Sequence, residues 1–169
     1  MEKLILINPY NNNNIKLVEE FEQNNHISSR LSNILKCQQK QMPEKQNQIE
    51  KKKSNVIEEY GMIIEASTIK NICHIQGEKD RKSCQISFSD NNKKNLRRKS
   101  IITATNYALS YLGMCEAFII MDSISKEIEN YLIQNGYEGL GKDEKGKNIF
   151  LIEKNPKEIN KGNYHETRR

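Results

Sequence analysis

The stretch YALSYLGMCEAFIIM, residues 107–121, joins the end of a helix to a buried strand. An apolar stripe at helical spacing begins upstream of this stretch and ends within it at Gly113, and glycine is typical of the carboxy terminus of a helix. The stripe consists of Leu96, Ile101, Ala104, Ala108 and Leu112. The apolar run at 115–121 has the length and composition of a buried strand. This stretch therefore predicts a helix that leads directly into a core strand.

The segments at the amino-terminal side predict one strand and two helices. An apolar run at residues 4–7 ends at an Asn-Pro pair, and proline cannot extend a central strand, so the run is typical of a first strand. Apolar residues then recur at helical spacing over 15–21 and 27–35, which predicts two amphipathic helices. Ser28 or Ser29 can cap the second helix.

Three further strands are predicted at residues 61–66, 71–75 and 84–88. The polar segment 77–80 forms a turn between the last two, and a symmetric turn there places Cys73 opposite Cys84 in an antiparallel hairpin. We interpret both thiols as small apolar fillers of the core. A metal site shared by Cys73 and His74 is disfavoured, because successive strand residues point to opposite faces.

The carboxy-terminal part predicts one helix and a closing hairpin. Apolar spacing over 124–133 indicates a helix that ends at Gly136, and segments 138–140 and 149–152 are typical of two strands. The predicted order is β-α-α-β-β-β-α-β-α-β-β. This order places the chain in the α/β (α+β) class.

The composition favours one domain in the cytoplasm. A chain of 169 residues is of single-domain size, and we predict a domain over 1–155 with a polar loop at about 37–55 and a polar tail at 156–169. The four cysteines lack both C-x-x-C spacing and the density of disulfide-stapled domains, so we expect reduced thiols. The longest purely apolar run, 117–121, is far below the roughly 20 residues of a membrane span. We therefore expect no membrane partner.

Two segments resemble the GNAT superfamily of N-acetyltransferases. Residues 107–121 resemble the end of the family's central helix, with its Leu-Gly turn, and the strand that follows. The segment NYLIQNGYE, residues 130–138, is similar to the family's late helix and its glycine-aromatic turn, with Tyr137 as the aromatic residue. The resemblance implies a GNAT-like mixed, mostly antiparallel sheet flanked by helices. It also implies transfer of an acetyl group from acetyl-coenzyme A to an unknown amine or protein acceptor.

A basic cluster stands where the family has a glycine-rich loop for the pyrophosphate of acetyl-coenzyme A. No glycine lies between Gly77 and Gly113, and the segment KKNLRRKS at 93–100 has five cations in seven residues. Positive charge and the helix dipole can hold an anion there. The residues predicted to contact the cofactor at this place are Arg97, Arg98, Lys99 and Ser100. The alternative interpretation is a solvated helix start.

Coenzyme A is favoured over nucleic acid as the anionic partner. The net charge of +5 favours anionic partners without identifying them. Binding of RNA or DNA would ordinarily add a larger basic field and aromatic residues placed to stack on bases. A catalytically inactive GNAT-fold module that binds protein or nucleic acid remains the second hypothesis.

The resemblance also implies candidate catalytic groups. Many family members use a tyrosine four residues before the late-helix glycine, a position occupied here by Leu132. Tyr131 is its neighbour, about 100° further around the helix, and is our candidate acid. Base candidates are Glu65 and Glu116, with His74 as a further possibility.

A backbone N–H of the central strand is expected to polarise the thioester carbonyl of the cofactor. This expectation comes from the resemblance and falls on residues 85–88. It adds Gln85, Ile86 and Phe88 to the cofactor-binding candidates. No metal site is predicted.

Overall fold

The computed structural model describes residues 2–41, 55–90 and 96–154. Within these ranges the strands are β1 Lys3–Leu6, β2 Val56–Glu65, β3 Thr68–Glu78, β4 Ser83–Phe88, β5 Glu116–Met121, β6 Glu138–Lys142 and β7 Asn148–Glu153. The helices are α1 Asn12–Asn24, α2 Arg30–Lys40, α3 Arg98–Asn106 and α4 Lys126–Gln134. The order of elements predicted from the sequence is confirmed.

The strands form one seven-stranded sheet in the order β1-β2-β3-β4-β5-β7-β6. The neighbouring strands pair antiparallel except β4 and β5, which are parallel. A parallel pair requires a crossover, and α3 supplies it between these two strands. The predicted mixed, mostly antiparallel sheet is therefore confirmed.

The helices cover the two faces of the sheet in pairs. Helices α1 and α2 pack through Val18 and Leu35 onto Met62 and Ile72 of the sheet. Helices α3 and α4 pack onto the opposite face, in the larger core cluster. That cluster includes Ile63, Cys73, Ile86, Ile101, Ala104, Ile119 and Leu132. The alternation of strand residues between the two clusters follows from the period of two along a strand.

Helix α1 begins at a side-chain cap, and α2 extends further than predicted. The side-chain Oδ1 of Asn11 accepts a hydrogen bond from the backbone N–H of Asn13 at 2.9 Å, which satisfies a donor of the first turn. Helix α2 continues to Lys40, so its last turn enters the segment that was predicted as a loop at about 37–55. Residues 42–54 of that loop and the predicted tail at 156–169 lie outside the described residues.

The sequence pattern predicts one continuous α-helix that leads into β5, but the structure departs from this in the last turns of the helix. After Asn106 it continues as a π-helical turn over Tyr107–Tyr111, where the N–H of Leu112 donates to the Tyr107 carbonyl at 3.0 Å. A π turn inserts one extra residue, which hydrophobic spacing alone does not reveal. Gly113 then has a φ of +76°, in agreement with its predicted role at the end of the helix.

The predicted register of the β3–β4 hairpin is wrong. Cys73 lies opposite Phe88, and Cys84 lies opposite Gly77. The sequence pattern assigned Gly77 to the turn, but β3 runs on to Glu78 and the chain reverses after it. A Cβ atom at Gly77 would lie 2.5 Å from the Ser83 carbonyl oxygen, so the missing side chain permits this close strand pairing.

Both hairpin thiols lie in the core, as predicted, and the structure places them on the α3 side. Burial raises the pKa of the Cys73 thiol to about 12 and that of Cys84 to about 11, so both remain protonated at neutral pH. His74 lies on the other face of the sheet, where its ring stacks on Tyr60. In the described part of the chain, no group of three His, Cys, Asp or Glu side chains is arranged to hold a metal ion. Within the same ranges, no helix has the length and apolar character needed to cross a membrane.

Candidate active site

The parallel strands β4 and β5 part at their carboxyl ends. Their pairing ends at Ile86 opposite Ile119, whereas the strands themselves continue to Phe88 and Met121. Over these last residues β4 continues beside β3, and β5 continues beside β7. A gap therefore opens in the middle of the sheet, which we call the β4–β5 gap.

A buried asparagine holds the chain where it leaves β4. The Asn71 side chain donates to the Asp90 carbonyl at 3.0 Å and accepts from the Asp90 N–H at 3.1 Å. Its oxygen also accepts from the N–H of Ile72 at 2.8 Å. Both Asn71 and Asp90 are almost fully buried, so this clamp fixes the direction of the chain beside the gap. The sequence analysis did not find it, because a lone Asn in a strand carries no distinguishing signal.

The first residues of α3 and its amino-terminal cap, residues 97–100, combine exposed cations with a buried hydroxyl. Arg98 and Lys99 are exposed, and the Arg98 guanidinium lies 4.7 Å from the centroid of the Tyr131 ring on α4. Ser100 is fully buried, and its hydroxyl has no hydrogen-bond partner among the described residues. We call residues 97–100 the α3 start. The Lys99 ammonium lies 3.7 Å from Glu65 Oε2 and remains exposed to solvent.

Arg97 is held by two carboxylates of the chain itself. Its Nη2 donates to Glu65 Oε1 at 2.8 Å, and its Nη1 lies 3.0 Å from Glu2 Oε2. The second contact is electrostatic, since Glu2 Oε2 forms no well-aligned hydrogen bond in the described chain. The Glu2 side chain is only 3% exposed. Arg97 therefore ties the α3 start to β2 and to the amino terminus of the chain.

The same contact defines the state of Glu65. The hydrogen bond from Arg97 lowers the pKa of the Glu65 carboxyl, with a further contribution from Lys99, whose Nζ lies 3.7 Å away. A carboxylate with a lowered pKa accepts a proton poorly at neutral pH. The structure thus gives Glu65, a predicted base, and Arg97, a predicted cofactor contact, partners within the chain.

The other catalytic candidates have contacts of their own. Glu116 is the first residue of β5, at the end of the strand away from the gap, and accepts from the Ser83 hydroxyl at 2.9 Å. Tyr131 lies on α4 with its ring beneath Arg98. Tyr137, the aromatic residue of the late turn, donates its buried hydroxyl to Thr105 at 2.8 Å. Burial raises the pKa of Tyr137 to about 12.

The strand candidates for cofactor binding lie at the edge of the gap. Ile86 is the last β4 residue paired with β5, and the side chains of Ile86 and Phe88 are buried on the α3 side. Only their backbone groups can contact a ligand in the gap. Gln85 is exposed on the opposite face of the sheet.

That opposite face carries a connected set of polar residues, which we call the polar face: Glu58, Tyr60, His74 and Gln76. His74 Nε2 lies 3.0 Å from Glu58 Oε2, and the Gln76 side chain donates to the same oxygen at 3.4 Å. The rings of Tyr60 and His74 stack with centroids 4.2 Å apart and planes within 7°. Burial raises the pKa of Tyr60, and the Glu58 charge adds to this effect. The sequence analysis named only His74 of this set, although the alternate spacing of 58/60 and 74/76 was visible.

Solved structures match the chain over most of its length. The ribosomal-protein-S5-alanine acetyltransferase of Vibrio fischeri is 11% identical, with a TM-score of 0.61 over 92% of this chain and 94% of its own. Apo FdhC, a nucleotide-linked sugar GNAT, is 14% identical, with a TM-score of 0.59 over 96% of this chain and 92% of its own. The Campylobacter jejuni N-acetyltransferase PseH in complex with acetyl coenzyme A is 13% identical, with a TM-score of 0.55 over 92% of this chain and all of its own.

These matches define the class of fold. Neither a protein-family model nor a curated protein sequence matches the chain. At identities of 11–14% the structural likeness concerns the fold, and the chain has the GNAT fold that the sequence resemblance predicted.

Proposed function

We propose that the chain is a GNAT-type N-acetyltransferase that transfers the acetyl group of acetyl-coenzyme A to an amine. The observation that carries this proposal is the β4–β5 gap, where pairing ends at Ile86 opposite Ile119 and both strands continue. Strand edges in such a gap can bind an extended, amide-containing ligand by backbone hydrogen bonds, as in the addition of a strand to a sheet. The pantetheine arm of coenzyme A has this chemistry. PseH, which has the same fold, is described in complex with acetyl coenzyme A.

The α3 start supplies the phosphate contacts in this proposal. The amino terminus of a helix attracts anions through its free N–H groups and its dipole. Arg98 and Lys99 add exposed positive charge there, and the Ser100 hydroxyl adds a donor without a partner. Arg97 has a different role, because its guanidinium is engaged by Glu2 and Glu65. It anchors the helix that presents the other groups.

The proposed reaction is direct attack of the amine on the thioester carbonyl carbon. A backbone N–H in the segment 85–88 polarises the carbonyl oxygen as negative charge develops on it. The new C–N bond forms, the C–S bond breaks, and coenzyme A leaves as the thiolate. The ammonium form of the acceptor first loses one proton to a base, and after the attack the nitrogen loses a second proton to the thiolate.

Thermal denaturation in the presence of acetyl-coenzyme A tests the proposal. A ligand that binds only the native state stabilises it by about 2.7 kcal/mol at a hundredfold excess over Kd. For a chain of this size the corresponding rise in Tm is about 5–11 °C. ATP, a polyanion without the pantetheine arm, is the control and should give a much smaller rise. Absence of any rise with acetyl-coenzyme A up to about 1 mM would reject the proposal and favour a catalytically inactive binding module.

A further inference from the structure

His74 lies close to the β4–β5 gap, on the face of the sheet away from α3. In the strand register Tyr60 is opposite His74, and His74 is opposite Ser87. Directly opposed residues of antiparallel strands share a face. Ser87 follows Ile86, the last β4 residue that pairs with β5. His74 therefore lies on the strand next to β4, which borders the gap, and neighbouring strands are about 4.8 Å apart.

The contacts of His74 fix its ring and leave one nitrogen open. A neutral imidazole that donates Nε2–H to Glu58 carries its lone pair on Nδ1. Nδ1 has no hydrogen-bond partner among the described residues. The stack on Tyr60 holds the plane of the ring, and the side chain remains 23% exposed. His74 thus presents a proton acceptor in a defined direction.

The charged and titratable groups near the His74 imidazole are compatible with a role of His74 as a general base. The charged and titratable groups that face it from the described strands are Glu58 and Tyr60 of β2, and Arg30 of α2 lies near enough to act on Tyr60. Its neighbour Ser87 on β4 has a small side chain and is only partly buried. An amine placed above Ser87 would lie between the imidazole and a thioester in the gap.

We propose that His74 is the general base that deprotonates the acceptor, that Glu58 is its positioning residue, and that the acceptor is an alkylamine. This inference rests on the proposed acetyltransferase function. An alkylamine is an ammonium ion at neutral pH and cannot attack until it loses a proton. One N–H proton passes to Nδ1 and then to solvent, and the nitrogen lone pair forms the C–N bond. The C–S bonding pair leaves with the thiolate, which takes the second N–H proton.

The experiment compares two classes of acceptor in wild type and in His74→Asn. Spermidine and lysinamide are ammonium ions at pH 7, whereas hydroxylamine is largely neutral and needs no base. With whichever of the two alkylamines the wild type acetylates faster, His74→Asn should lower kcat by about a hundredfold or more. With hydroxylamine, after subtraction of the uncatalysed rate, kcat should change by less than about threefold, because no proton has to be removed first. Equal losses with both acceptors, or no loss with the alkylamine, would overturn the assignment.

Glu58→Gln tests the positioning role without altering the imidazole packed on Tyr60. It should lower kcat for the alkylamine by about tenfold, and Glu58→Asp should restore part of the loss. Glu78→Gln is the matched control, since Glu78 lies on the same face of β3 but pairs with Arg81. A loss in Glu78→Gln as large as that in Glu58→Gln would contradict the specific role of Glu58.

Two further readouts separate this inference from the proposed function. The pH profile of kcat/KM should show a single-proton ionisation in wild type that is lost in His74→Asn. The rise in Tm with acetyl-coenzyme A should be the same in both proteins, because His74 lies on the acceptor side. A wild type without this rise refutes the proposed function. A normal rise with an unchanged pH profile in His74→Asn refutes only the role of His74.

Discussion

The α3 start and the polar face each hold a basic side chain against carboxylates of the chain. They differ in how many nitrogen atoms of that side chain the carboxylates contact. At the α3 start, both Nη atoms of Arg97 contact carboxylates of the chain itself, Glu2 and Glu65. On the polar face, Glu58 engages one nitrogen of His74 and leaves the other open. From this difference we infer that a charged residue near a site serves the ligand or the fold according to how many of its polar atoms the chain itself occupies.

Arg97→Met should produce the largest effect, a loss of fold stability, and it tests the structural role of Arg97 in this comparison. The variant leaves the Glu2 carboxylate, 3% exposed, without its partner. Such a loss costs about 3 kcal/mol, or about 6–12 °C in Tm. Urea and thermal denaturation measure it. The folded variant should still bind acetyl-coenzyme A within about threefold of wild type. Normal stability with lost binding would show that Arg97 contacts the ligand.

Arg98→Met should have a moderate effect, which falls on ligand affinity more than on stability. We expect acetyl-coenzyme A affinity to fall about tenfold, which is about 1.4 kcal/mol, because the proposed phosphate contact is removed. Stability should fall by no more than about 1 kcal/mol from loss of the stack on Tyr131. Calorimetric titration measures the affinity. Lys126→Met, which removes an exposed charge on α4, is the control. Equal affinities of the two variants would remove Arg98 from the site.

Glu65→Gln should have the smallest effect, and one that depends on pH. The pKa of Glu65 is lowered in the folded chain by Arg97, so its charged form stabilises the fold at pH values above its ordinary pKa. This contribution is lost as the pH falls from about 5 to about 3. The Tm difference between wild type and Glu65→Gln should therefore be present at pH 7 and vanish towards pH 3. A difference that is constant over this range would argue against the ion pair.

Much of the fold follows from local sequence patterns. The spacing of apolar residues predicted the order of the elements, because each helix or strand carries its own spacing. Glycines marked the ends of two helices, and Gly113 and Gly136 do have positive φ. The register of the β3–β4 hairpin was wrong, since it depends on the close approach of Gly77 to Ser83 across the strands. The π turn after Asn106 was missed for a similar reason, as one inserted residue hardly changes the apolar spacing.

The site was less predictable because its contacts join distant parts of the chain. Glu65 is 32 residues from Arg97, and nothing in the basic cluster indicates that a carboxylate will occupy its first arginine. Glu58 and His74 are 16 residues apart and meet only through the β2–β3 register. The sequence identified which residue types were available. The sheet determined which of them are paired and which remain open.

The most direct test of the central claim is to map acetyl-coenzyme A on the protein by backbone amide NMR. If the ligand occupies the β4–β5 gap, the largest chemical-shift changes should fall on residues 85–88 and on 98–100 of the α3 start. Coenzyme A without the acetyl group should cause similar changes at 98–100. Changes confined to α1 and α2, or no changes at saturating ligand, would contradict the account.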